Sequence, residues 1–334
     1  MGLFKKMKKV LSYIILVSIA ILLSGCGDNS PKETILRVGH FPNISHAQAL
    51  IAHGLSIQGK GWFEERLGKD VKIKWVLFNA GPSAMESLFA RAVDITYVGP
   101  NPALNSYAKT MGRDVRILAG SADGGAAMVV NPKLNLKTPQ DFKGKKIGTP
   151  QLGNTQDVAC RAWLINNGIN AKLNSNEVNV IPTPNPEQLM LFKRGNLDAV
   201  WTIEPWVSRL EMESDAKMFI NQKEAITTIL VTNNRTLNTK KDLVEKFVQA
   251  HKELTDWINQ NPEEAKKIVI DTLGKLMGGA NIAPELINKA WDRLTFTSNL
   301  NRAELEKFVD DAYKCGFLKS KINLDKIFTD SVKK

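Results

Sequence analysis

The chain has 334 residues and carries 45 Lys and Arg against 34 Asp and Glu, a formal charge of +11 at pH 7. No arginine-rich run and no interleaving of aromatic with basic residues goes with that charge, which argues against nucleic acid; with the lysines spread over surface-type positions, the charge suits a solvated basic surface more than a specific patch for an anionic membrane or an anionic solute. Three cysteines, spread along a chain of this size, do not make a disulfide framework.

Lys5, Lys6, Lys8 and Lys9 precede an apolar run from Val10 to Leu23 that is short for a membrane span and is followed at once by polar chain. The run ends in Leu23-Ser24-Gly25-Cys26, where small residues expose the backbone to a peptidase and a thiol waits behind them; this resembles the lipobox of bacterial lipoproteins. The reading is a signal over residues 1–25, lipidation of Cys26, and a polar tether over residues 26–33. Without those four lysines the charge is about +7. The rest is long enough for two domains, and Cys160 and Cys315 are expected as buried thiols.

Ile35–Val38 reads as a strand, His46–Ile57 as a helix, Val71–Phe78 as a buried strand. Gly81-Pro82-Ser83 then opens a helix in which Met85, Leu88, Phe89 and Ala92 share a face. Strand, helix and strand follow at Ile95–Val98, Asn101–Thr110 and Val115–Ala119. After Asn131-Pro132 the alternation resumes: strand Lys146–Gly148, helix Gln156–Asn167, strand Val178–Ile181, helix Glu187–Arg194, strand Asp198–Ile203. Ile226–Val231 returns as a strand, and everything after Thr239 reads as helical, in four amphipathic stretches over 241–259, 262–273, 283–294 and 302–315. The alternation predicts α/β architecture on parallel sheets, with ligands at the carboxyl ends of the strands. The predicted lobes are residues 34–130 with 226–334, and residues 131–225, with the C-terminal helices as a cap.

Several segments together resemble one family, the solute-binding proteins for aliphatic sulfonates, taurine, nitrate and thiamine-pyrimidine precursors. They are Phe78-Asn79-Ala80-Gly81-Pro82-Ser83 with Leu88 and Asp94-Ile95, then Gly144-Lys145-Lys146-Ile147-Gly148, then Gly195-Asn196-Leu197-Asp198-Ala199-Val200-Trp201 with Glu204-Pro205. The resemblance spans most of residues 35–235. It implies a two-lobed periplasmic-binding-protein type II fold with the ligand in a cleft between the lobes. It also implies a function: an extracytoplasmic, lipid-anchored receptor that delivers a small anionic organic solute to the permease subunits of an ABC importer. The solute most in keeping with it is an aliphatic sulfonate or taurine. Phe41-Pro42-Asn43-Ile44-Ser45-His46 is closer to the Pro-Asn-x-x-His of the pyrimidine-precursor branch and keeps that ligand class open.

An anion with three oxygens needs several donors, and a turn between strand and helix supplies backbone N–H groups with a favourable dipole. Gly81, Pro82 and Ser83 form such a turn in one expected lobe, and Asn154 and Thr155 in the other. Asn101, between Pro100 and Pro102, and Ser121, at a strand end, are further candidates, as are Phe41, Asn43 and His46 from the opening loop. Ser83 and Thr155 equally suit plain helix caps. Glu204 suits a ligand bearing an ammonium or aminopyrimidine, or else a helix start; Trp201 suits ligand packing, or else the core. His46 and His53 lack a third partner for a metal.

The outside alternatives are an enzyme or a ligand sensor on the same fold. No nucleophile stands beside a base, and Cys160 lies in an apolar helix without a histidine near it in sequence. The expectation is a monomer that binds and releases, with no catalysis, no cofactor and no metal.

Overall fold

The computed structural model describes residues 33–329; Cys26 and the signal segment before it lie outside the described residues. The first half of the chain folds as β1 (Thr34–His40), a 3-10 turn (Ile44–His46), α1 (Ala47–Ile57), α2 (Trp62–Leu67), β2 (Val71–Leu77), α3 (Gly81–Phe89), β3 (Ile95–Val98), α4 (Pro100–Lys109) and β4 (Val115–Gly124). Next come β5 (Ala126–Val130), β6 (Lys146–Thr149), α5 (Thr155–Asn166), β7 (Asn179–Pro182), α6 (Asn185–Lys193), β8 (Ala199–Ile203), α7 (Trp206–Ser214) and β9 (Lys217–Gln222). The chain ends through β10 (Ile226–Asn233), α8 (Asn234–Thr239), α9 (Lys241–Gln260), α10 (Pro262–Leu276), α11 (Pro284–Trp291), β11 (Leu294–Phe296) and α12 (Arg302–Cys315).

These strands form two sheets, one in the order β11-β4-β10-β3-β1-β2 and the other β7-β6-β8-β5-β9. Each sheet is buried on both faces, as its composition requires. In the first, Ile95, Tyr97, Leu118 and Leu230 point to one apolar cluster, while their neighbours Val98, Ile117, Ile229 and Val231 point to another. In the second, Met128, Val130, Ala199 and Trp201 face one way and Ala127, Val129 and Val200 the other.

Helices α9 and α10 close one side of the first sheet. Val244, Phe247, His251, Leu254 and Ile258 recur at helical spacing along α9 and are all buried, which is why this polar-looking segment folds where it does. Cys160 and Cys315 are both buried free thiols, in line with the sequence reading.

Two sequence expectations change. The sheets are mixed, not parallel throughout: β1–β3, β6–β7 and β6–β8 run parallel, but β10 runs antiparallel to β3 and β4, and β5 antiparallel to β8 and β9. The cause is that the chain passes between the sheets along strands. It leaves the first sheet as β4, turns through Gly124-Gly125, whose φ of 76° and 71° suit only glycine, and enters the second sheet directly as β5. It returns from β9 to β10 over residues 223–225. The crossing therefore falls at Gly124-Gly125, ahead of the 130/131 boundary read from sequence, because a five-residue apolar strand carries no turn signal of its own. The region after Thr239 is helical except for β11, which pairs antiparallel with β4.

Candidate functional site

Between the two sheets lies a small cavity of about 30 Å³, walled by residues that follow the carboxyl ends of strands. Phe41 follows β1, Asn79 follows β2, Gly99 follows β3, Pro150 follows β6, and Ile203 ends β8.

Four helices of nine to twelve residues begin at this wall. Ala80-Gly81 opens α3, Gly99 precedes α4, Asn154-Thr155 opens α5 and Asn185 opens α6, and all of these residues line the cavity. In α5 the side chain of Asn154 accepts from Asp157 N–H at 2.8 Å, a normal cap. The other three have no side-chain cap, because the residues before their first turns, Ala80, Gly99 and Pro184, carry no side-chain acceptor. In α3 and α6 the leading N–H groups other than Pro82 and Pro186 are thus left for whatever occupies the cavity, whereas α4 opens Pro100-Asn101-Pro102 and its Asn101 N–H already donates to Thr155 Oγ1 at 3.4 Å.

The wall carries no Asp, Glu, Lys or Arg. His46 is its one titratable lining residue, and burial, with the neighbouring His40, holds that imidazole well below its ordinary pKa, so it is neutral. His46 stacks on Phe41 with ring centroids 4.4 Å apart. Its Nδ1 accepts from Phe41 N–H at 3.4 Å, which leaves Nε2 as the protonated nitrogen and a donor. Beside it, the hydroxyl of Ser45 is fully buried, lines the cavity and has no hydrogen-bond partner. An unpaired buried hydroxyl costs roughly 1–3 kcal/mol, a cost a bound acceptor would remove. Neutral donors and uncapped helix starts in a water-poor space make a site for an anion.

A buried ion pair fixes the second-sheet wall. Asp157 accepts from Thr149 Oγ1 at 2.9 Å, from Gly153 N–H at 2.9 Å and from Arg161 Nε at 3.2 Å, while Arg161 also donates to the carbonyl of Ala171 at 3.1 Å. This ties both ends of the 149–155 turn to one carboxylate.

Of the residues singled out from sequence, Phe41, Asn43, His46, Gly81, Asn154 and Thr155 come together on this wall. The other six do not. Ser83 donates to the carbonyl of Ala80 at 2.8 Å within its own turn, and Pro82 faces a separate surface cleft. Asn101 turns away to donate to Phe308 at 3.3 Å, and Ser121 is buried behind the site, donating to Gln48 at 2.8 Å. Trp201 is core, its Nε1 donating to Gln222 at 3.0 Å.

Glu204 is the largest correction. Its carboxylate is fully buried, accepts from Ser208 N–H at 3.0 Å and meets Arg293 Nη1 at 2.7 Å, with Arg293 reaching Glu211 by its other nitrogen at 2.7 Å. Burial raises its pKa, and Ser208 and Arg293 offset that only in part. It serves a link between the two halves of the molecule and does not line the cavity. Sequence reasoning missed Ser45, Asn79, Gln156, Asn185 and Thr227. Of these only Asn185, before Pro186 at a helix start, carried a signal.

The profile of the NMT1-like family matches residues 29–273, well over half of the chain. The chain belongs to the NMT1-like family. Among proteins similar to this NMT1-like chain, a Bacillus subtilis (strain 168) protein named as an aliphatic sulfonates-binding protein is 30% identical over 279 residues, covering 79% of this chain and 78% of that one. The taurine-binding periplasmic protein of Escherichia coli (strain K12) is 24% identical over 155 residues, covering 46% and 45%. Among solved structures, the alkanesulfonate-binding protein SsuA from Xanthomonas axonopodis pv. citri bound to MOPS superposes with a TM-score of 0.71 at 19% identity, covering 89% of this chain and 98% of that one. That likeness establishes the periplasmic-binding-protein fold for the NMT1-like chain, with its helical C-terminal region.

Proposed function

We propose that the protein is the solute-binding component of an ABC importer and that its solute is an organic sulfonate, captured between the two sheets and handed to a membrane permease. One observation carries this reading: two uncapped helix starts, two more whose leading N–H groups meet side chains, and an orphaned hydroxyl converge on a cavity with no charged side chain in its wall. A sulfonate keeps its charge at every physiological pH and offers three acceptor oxygens and no donor, so a wall of neutral donors fits it and no counter-ion has to be desolvated. The named function of the Bacillus subtilis relative supports the same solute class.

The position of Glu204 weakens the thiamine-pyrimidine reading. An aminopyrimidine calls for a carboxylate acceptor, and the candidate is held by Arg293 and Ser208. Catalysis fits the site poorly as well: Cys160 is fully buried and burial pushes its thiol well above the ordinary range, opposite to what a nucleophile needs.

The protein works outside the cytoplasm in this reading, held at the membrane by a lipid on Cys26, with residues 27–33 as tether, and acts as a monomer. Leu23-Ser24-Gly25-Cys26 after a lysine-flanked apolar run supports the anchor. The test is calorimetric titration of residues 27–334 with alkanesulfonates, taurine, nitrate and a hydroxymethylpyrimidine. Binding of alkanesulfonates with the pyrimidine silent supports the reading; the reverse pattern overturns it.

A further inference from the structure

A second cavity of about 290 Å³ lies against the first. Its walls come from both halves of the molecule: Trp206 and Met212 of α7 on one side, Leu273, Met277, Ile282 and Leu286 of the α10–α11 region on the other. The two spaces share a partition. Phe41 and Asn43 line the small cavity while Pro42 between them lines the large one, and Ile203 lines the small cavity while Pro205 and Trp206 line the large one. Across that partition Trp206 Nε1 donates to Asn43 Oδ1 at 3.3 Å.

Resting on the sulfonate reading, we propose that the larger cavity is the chamber for the organic chain of the solute. The headgroup sits among the helix starts, and the chain passes the Trp206–Asn43 pair into the space beyond, so that the preferred substrates are sulfonates with an extended apolar chain.

Size is the first argument: a cavity of about 30 Å³ has room for a headgroup and none for a chain of several carbons, so any such chain must leave it. The second is chemistry. The larger cavity is lined mainly by thioether and aliphatic groups, and Met212 and Met277, 47% and 44% exposed, both border it, where one apolar chain would cover them together. The charges at its rim are already paired, Glu213 with Arg209 at 2.7 Å and with Lys193 at 2.6 Å, so none is left over for a second charged group.

The third argument is access. A broad cleft of about 870 Å³ touches the head site on another side, but the partition there is the Pro102 ring pressed against Gly81, together with the Gly153 backbone, and that cleft presents Lys109, Lys319 and Glu86. Trp206 can swing about its side-chain torsions. A proline ring and a backbone cannot.

The experiment is titration calorimetry of residues 27–334 with methane-, propane- and hexanesulfonate, on the wild type and on Leu286→Asp and Met277→Asp. Met277 sits at the exposed edge, where an acid is tolerated in folding, and covers the case in which Leu286→Asp does not fold. In the wild type each added methylene is expected to tighten binding roughly fourfold until the chamber is full, and both variants are expected to flatten that dependence. Equal affinities along the wild-type series, or a chain-length gain that survives in Met277→Asp, would overturn the chamber while leaving the head site standing. Failure of every sulfonate to bind would overturn both.

Discussion

The Thr155 hydroxyl at the start of α5 stands where a side-chain carbon on Gly99, across the cavity at the start of α4, would have to go. The same hydroxyl is 3.4 Å from the backbone nitrogen of Asn101. The two halves of the molecule thus approach to backbone distance at this point, and only a glycine permits it. Gly99 has φ of −69°, an ordinary value, so alanine there strains nothing in its own backbone. Gly99→Ala is expected to leave the melting temperature of the unliganded protein within a few degrees of wild type and to cut sulfonate affinity at least tenfold, by holding the halves apart. Small-angle scattering with and without ligand checks the cause, since compaction on binding should be lost.

Asp157 and Arg161 are the positioning pair of the second wall. Removing one partner of a buried pair leaves a charge without compensation, at a cost of about 3–5 kcal/mol. Arg161→Met is therefore expected to lower the urea midpoint by that equivalent and to weaken binding as the 149–155 turn loosens. The conservative Arg161→Lys should recover part of the stability and little of the binding, because a lysine cannot reach the Asp157 carboxylate and the Ala171 carbonyl together.

Glu204→Gln separates two roles for the same carboxylate. If it accepted from a ligand ammonium, the substitution would weaken taurine and spare ethanesulfonate. With Glu204 held by Arg293 and Ser208, it is expected to weaken both by the same factor, through loss of the contact between the halves, and to lower stability by about 1–3 kcal/mol. Parallel titrations with the two ligands decide it.

All four histidines are held in the neutral form by burial: His40 is pushed down to about 3, His53 and His251 to about 4, and His46 well below its usual value. The unfolded chain takes up protons as pH drops through about 6.5, and the folded chain does so only near 3–4. Stability is therefore full above about pH 6.5 and falls as pH drops toward 4; at pH 5 fully buried His251 alone accounts for roughly 2 kcal/mol. Asp123, raised to about 6 by burial and by Glu304, acts in the opposite direction, favouring the folded state in acid, as do Glu204, Glu304 and Asp311, which burial also raises; carboxyls held low by cations, such as Asp94 by Arg37 and Glu213 by Arg209, act with the histidines. Urea midpoints at pH 7.5 and 5.0 should show the drop, and His251→Gln should make it smaller.

Much of the fold was legible because it rests on local signals. Gly-Pro turns, Asn-Gly stops and alternating apolar runs put most helices and strands in place before any contact was known. Segments without their own punctuation were lost: β5 continues β4 through two glycines, and β9, with the pattern Lys-Met-Phe-Ile-Asn-Gln, owes its place to pairing with β5. The site divides the same way. Asn154, Thr155 and Gly81 stand at helix starts that the sequence announces, so they could be named. Glu204 could not be placed, since its partner Arg293 is 89 residues away, and Ser45 gave no sign that its hydroxyl would be left unpaired. Polar residues were legible as polar; whether they faced the ligand or one another depended on long-range partners.

The most direct test of the central claim is calorimetric titration of hexanesulfonate into residues 27–334 at low and at high salt. A site built from neutral donors and helix starts has no cation to screen, so the affinity should be nearly the same at 20 mM and 500 mM sodium chloride, to within roughly threefold. A sulfonate that fails to bind, or one whose affinity collapses with salt as it would at a lysine or arginine clamp, would contradict the account.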